Sequence, residues 1–99
     1  MITYNLLYTQ FVSGENVDET RFYFQNDPAQ TEHMLGYLPQ FQQPYWIGDC
    51  DIPDGTQFMT AAAMFNAPVF DGQSLASRWA DVVLIDVGGM PVMDWLAQL

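Results

Sequence analysis

Residues 2–12 run Ile2-Thr3-Tyr4-Asn5-Leu6-Leu7-Tyr8-Thr9-Gln10-Phe11-Val12, and whether this run is strand or helix decides how the rest of the chain is assembled. Ile2, Tyr4, Leu6, Tyr8 and Val12 fall on one side of an extended backbone and Thr3, Asn5 and Thr9 on the other, with Leu7 and Phe11 blurring the pattern. A period of two predicts a half-buried strand. Ser13-Gly14-Glu15-Asn16 follows with turn chemistry, and Thr20-Arg21-Phe22-Tyr23-Phe24 is β-branched and aromatic, so the two runs are predicted to pair as a hairpin.

Working outward, Asp27-Pro28-Ala29-Gln30 has the form of a helix start. Asp27 serves as N-cap, Pro28 takes the first helical position and Gln30 completes a capping box, which predicts a helix over 28–35 that stops at Gly36. Residues 37–44, with two prolines and three glutamines, form a connector. Tyr45-Trp46-Ile47 reads as a short strand. After Gly55, Phe58, Ala61, Ala62 and Phe65 at helical spacing predict a helix ended by Pro68. Asp71-Gly72-Gln73-Ser74 is placed to cap another short helix carrying Leu75, Arg78 and Trp79. Residues 81–87, Asp81-Val82-Val83-Leu84-Ile85-Asp86-Val87, are apolar and β-branched enough for a central strand. Gly88-Gly89 turns the chain, and Pro91 opens a helix with Val92, Trp95, Leu96 and Leu99 on one face.

The expected fold is a single α+β domain over 1–99, a small, mostly antiparallel sheet of about four strands with three or four short helices on one face. Ninety-nine residues suffice for one core but not for two lobes with a cleft between them. With 49% apolar residues, burial offsets the entropy of ordering the chain, which excludes global disorder.

Charge is the unusual feature. Twelve carboxylates face two arginines, Arg21 and Arg78, with no lysine, for a net charge of −10. One-to-one pairing neutralises two acids, and the rest are expected in water because an unpaired buried charge costs several kcal/mol or becomes protonated. Such a field repels nucleic acid and anionic membranes and draws in basic protein surfaces. One cysteine forms no internal disulfide, the first residues lack the basic flank and cleavage site of a signal peptide, and no apolar run approaches the ~20 residues that span a bilayer. The expectation is a soluble cytoplasmic protein, monomeric or a small homo-oligomer, with no cofactor.

The densest acidic stretch is Gly48-Asp49-Cys50-Asp51-Ile52-Pro53-Asp54-Gly55. Asp49, Asp51 and Asp54 approach the opening of a calcium loop, but the third acid comes one residue late and Thr60 stands where the closing bidentate acid belongs. Flanking carboxylates raise a thiol's pKa, so Cys50 reads as a structural thiol rather than a nucleophile. His33 is the only histidine, which leaves no tetrahedral zinc set without two carboxylates, and it reads as a partly exposed surface residue. No serine lies in a G-x-S-x-G context. The chain is therefore expected to be a binder rather than an enzyme, with no metal site.

Carboxylates two apart on an extended segment stand about 6.6 Å apart, twice the ~3.3 Å rise per residue, on the scale of neighbouring phosphates in a nucleic-acid strand. Asp49, Asp51 and Asp54 form one such row, and Glu15, Asp18 and Glu19 another. Tyr45 and Trp46, just before the first row, are the aromatic residues expected to join the contact. In size, acidity and lack of a catalytic signature the chain resembles phage-encoded inhibitors of bacterial defence, the anti-CRISPR and anti-restriction proteins, some of which are DNA mimics. The likeness is one of composition and transfers no residue roles. It implies stoichiometric docking of the acidic face on the Lys/Arg-lined nucleic-acid channel of an effector in the host cytoplasm. A small adaptor that binds a basic partner without mimicry is the alternative.

Overall fold

The computed structural model describes residues 4–14, 17, 19–48 and 56–98. The first element is a helix, α1 (Tyr4–Ser13), and not the expected strand. Tyr4, Leu7, Tyr8 and Phe11 lie at i, i+3, i+4 and i+7, one stripe of a helix, and the two residues that spoiled the alternation, Leu7 and Phe11, are its fully buried ones. The helix ends at Gly14, whose N–H donates to the Gln10 carbonyl at 2.9 Å with φ +73, the left-handed stop that favours glycine.

Six strands follow in one antiparallel sheet, β1 (Thr20–Phe24), β2 (His33–Tyr37), β3 (Tyr45–Gly48), β4 (Thr56–Phe58), β5 (Val82–Val87) and β6 (Met90–Pro91), in the spatial order β4-β3-β2-β1-β5-β6. Two more helices, α2 (Ala61–Asn66) and α3 (Val92–Ala97), complete the set. The α+β class holds, with six strands and three α-helices among the described residues. Thr60 caps α2 by accepting the Ala63 N–H at 3.1 Å. β5 and β6 are joined by Gly88-Gly89 at φ +60 and +77, the paired left-handed conformation of a tight hairpin turn.

The expected helix over 28–35 is absent. Asp27 caps a turn instead, its carboxylate accepting the Ala29 and Thr31 N–H groups at 3.0 Å each, and Gln30 adopts φ +49, which no right-handed helix contains. His33, Leu35 and Tyr37 then alternate on β2. Gly36, expected as a helix stop, sits inside that strand opposite Trp46. The helix expected from residue 56 begins only at Ala61, because residues 56–58 form the edge strand β4. Ser74 caps a helical turn, accepting the Ser77 N–H at 3.0 Å, and a short 3-10 turn (Trp79–Asp81) leads into β5.

Register assigns the two faces. Thr20↔Leu35↔Ile47 and Phe22↔His33 place these residues on one side, where Leu7 and Phe11 of α1, Met64 and Phe65 of α2 and Trp95 of α3 close the core. On the other side stand Arg21, Met34 and Trp46. A bulge in the β1–β5 pairing steps from Phe22↔Leu84 to Arg21↔Asp86, passing over Ile85. That single extra residue returns Asp86 to the face of Arg21, which donates to it from Nε at 2.9 Å and reaches Glu32 from Nη1 at 3.3 Å, and it turns Val87 into the core.

Candidate functional site

The sequence-predicted contact residues divide three ways. Asp49, Asp51, Asp54, Glu15 and Asp18 lie outside the described residues. Glu19 is exposed. Tyr45 and Trp46 are buried, at 8% and 0% exposure, which corrects their expected place in a contact surface. Tyr45 faces the core beside α1, where its hydroxyl donates to the Phe11 carbonyl at 3.0 Å, and Trp46, next along the strand, is buried on the opposite face. Phe41, in the β2–β3 connector, is exposed instead.

Tyr45 carries a pH signature. Burial pushes its phenol above the ordinary tyrosine range, with smaller contributions from Tyr37 and Tyr8. A phenol that ionises less readily folded than unfolded contributes its full stability below about pH 10, the unfolded value, and loses it as pH rises through the higher folded value. Tyr45→Phe is expected to cost about 1 kcal/mol at neutral pH. In urea titrations the gap from the parent chain narrows above about pH 10; a gap constant to higher pH refutes the assignment.

A groove of about 650 Å³, within the ~300–1,000 Å³ range of ligand pockets, is lined by described residues. It opens where β1 ends and β2 begins, and the Phe70–Gln73 turn forms part of its wall. Alternation on β1 puts Phe22 and Phe24 on one face, and pairing sets His33 opposite Phe22. Phe70 meets them from a tight turn in which Phe70 and Gln73 exchange two backbone hydrogen bonds at 3.0 Å. The four rings all touch one another, with Phe24–His33 centroids at 5.5 Å and Phe24–Phe70 and His33–Phe70 at 5.2 Å. Phe24, His33 and Phe70 line the groove, and Phe22 backs them. Gly48 of β3 and Thr56 of β4 also line it.

Three charged side chains complete the groove. The Arg78 guanidinium lies 3.6 Å from the Phe24 ring centroid and donates from Nη2 to Asn26 Oδ1 at 3.0 Å. Asp27 is held by its two backbone donors, which keep its carboxyl below the ordinary carboxylate range, so it is charged at neutral pH. Asp71 is exposed at the rim. Both ion pairs among the described residues belong to Arg21, so Arg78 neutralises neither groove carboxylate. Among the described residues no group of three or more His, Cys, Asp or Glu side chains is arranged to hold a metal ion, and no helix is long and apolar enough to cross a membrane. The groove offers aromatic rings and two carboxylates, a setting for a cation. Comparison of the chain with family models, with curated proteins and with solved structures gives no match.

Proposed function

We propose that this chain is a stoichiometric protein ligand for a basic, nucleic-acid-binding protein surface, and that it acts as an inhibitor of a bacterial defence effector in the manner of anti-CRISPR and anti-restriction proteins. The observation that carries this reading is where the two cations go. Arg21 is taken up by Asp86 and Glu32, and Arg78 by Asn26 and the Phe24 ring. Of the net charge of −10, little is offset at the surface, because Arg21, though its side chain is 42% exposed, sits between two carboxylates. A surface of that kind gains most from meeting Lys and Arg side chains that otherwise hold phosphates, and long-range attraction raises the encounter rate.

The test is displacement of labelled target DNA from purified CRISPR effectors and restriction endonucleases. The expected result is displacement at a one-to-one ratio from one of them, weakening steeply as salt rises. Reversing Asp49, Asp51 and Asp54 together to lysine, a change of six charge units, is expected to weaken displacement by at least tenfold at low salt. Tight binding to an effector that leaves its DNA in place favours the adaptor and overturns inhibition by mimicry. Binding that does not vary with salt overturns the electrostatic basis altogether.

A further inference from the structure

We propose that the groove lined by His33, Phe70, Asp27 and Asp71, with the buried Phe24 ring behind them, accepts an arginine side chain of the basic partner, an inference that rests on the reading above and names its point of attachment. The groove already shows what it accepts, because the chain's own Arg78 lays its guanidinium on the Phe24 ring at 3.6 Å. Planar guanidinium groups stack on aromatic faces and are more weakly hydrated than ammonium groups, so they lose less on entering a half-enclosed site.

Charge selects a cation over an anion. Two carboxylates line the groove against one guanidinium, neither is paired with it, and the surrounding chain adds the remainder of its −10. Geometry selects arginine over lysine. Backbone donors from Ala29 and Thr31 fix the two oxygens of Asp27, one donor to each, and an orientated carboxylate suits the two-pronged edge of a guanidinium. The Phe70 ring, packed edge-to-face on His33 with centroids 5.2 Å apart, adds a flat aromatic surface that a compact ammonium uses less well.

The experiment is amide chemical-shift mapping of the full chain, titrated with a short Gly/Ser peptide bearing one arginine and with matched peptides bearing lysine or citrulline. Arginine is expected to shift amides of residues 24–33 and 69–73, lysine to bind several-fold more weakly and neutral citrulline not to bind. Asp27→Asn and Phe70→Ala are each expected to weaken the arginine peptide about tenfold. Asp71→Asn, at an exposed position that adds no folding risk, is expected to weaken it several-fold. Equal binding of arginine and citrulline peptides overturns the proposal, as does groove binding by acetate or phosphate in place of the peptide. An oligo-arginine peptide separates this idea from its parent. Salt-sensitive binding that shifts amides only elsewhere removes the groove and leaves the basic-partner reading standing, whereas no binding of oligo-arginine at low salt removes that reading.

Discussion

Phe65→Ala is expected to cost about 3–5 kcal/mol, the usual toll for emptying a fully buried phenylalanine site. The position is chosen by its neighbours. Phe65 is fully buried and its ring meets the edges or faces of Tyr4, Tyr8 and Phe11 at centroid distances of 5.4–5.6 Å, so one side chain fastens α2 to α1. Aromatic pairs of this geometry add about 0.5–1.5 kcal/mol each beyond area burial, and truncation removes three of them. Domains of this size are stable by only about 5–15 kcal/mol, and each kcal/mol is worth roughly 4–8 °C of melting temperature. Thermal and urea denaturation should therefore show a fall of more than 10 °C, or no cooperative transition at all. A loss below about 1 kcal/mol would mean that α1 does not pack on α2 in this way.

Gly14→Ala is the second large effect, because two costs coincide at one position. A residue with a side chain at φ +73 pays about 1–2 kcal/mol for the left-handed conformation. The added Cβ would also stand 2.6 Å from Tyr37 Cε2 and 3.1 Å from its Cδ2, and the ring must move out of its place beside Tyr45, where centroids are 4.8 Å apart. Overpacking of this kind adds about 1–3 kcal/mol, for a total of roughly 2–5 kcal/mol. A double-mutant cycle with Tyr37→Ala separates the terms. The steric part should vanish in the double variant and leave only the backbone part, with a coupling of about 1 kcal/mol or more. Additive losses would show that Tyr37 is not the obstacle.

How much of this was legible in the sequence depends on the element. Thr20–Phe24, Tyr45–Ile47 and Val82–Val87 carry enough β-branched and aromatic residues to declare themselves as strands, and Gly88-Gly89 declares a hairpin. α1 misled because aromatic residues populate both of its possible patterns: Tyr4 and Tyr8 fit a period of two and a period of four alike, and only Leu7 and Phe11 distinguish them. Residues 27–35 misled for a different reason. Asp-Pro is as good an opening for a capped turn as for a helix, and the deciding fact, the left-handed Gln30, leaves no mark in composition. β4 was hidden because three residues, two of them exposed, are too few to show a period.

The groove was half legible. Phe22 and Phe24, two apart on a recognisable strand, announce a shared aromatic face, but their companions come from a segment read as helix and a turn read as a cap. Phe70 and His33 meet only once β2 is a strand. The acidity was wholly legible. What the sequence could not show is that both arginines are engaged within the fold, since that needs Asp86 brought back by the bulge and Asn26 brought beside Phe24.

The strand order has a consequence for how the polypeptide comes into being. During synthesis β1 can gain β2, β3 and β4 in turn, each by a neighbouring hairpin, yet its other edge is completed only by β5, which emerges from the ribosome after all four. Until then the middle strand of the finished sheet is an outer one, with open N–H and C=O groups and the two phenylalanines of β1 only partly covered. Closing that long loop is the slow, entropically costly step, which places the chain among domains that fold in milliseconds to seconds rather than microseconds. Self-association through that bare edge is opposed during the wait by the chain's excess of negative charge, because nascent copies repel one another.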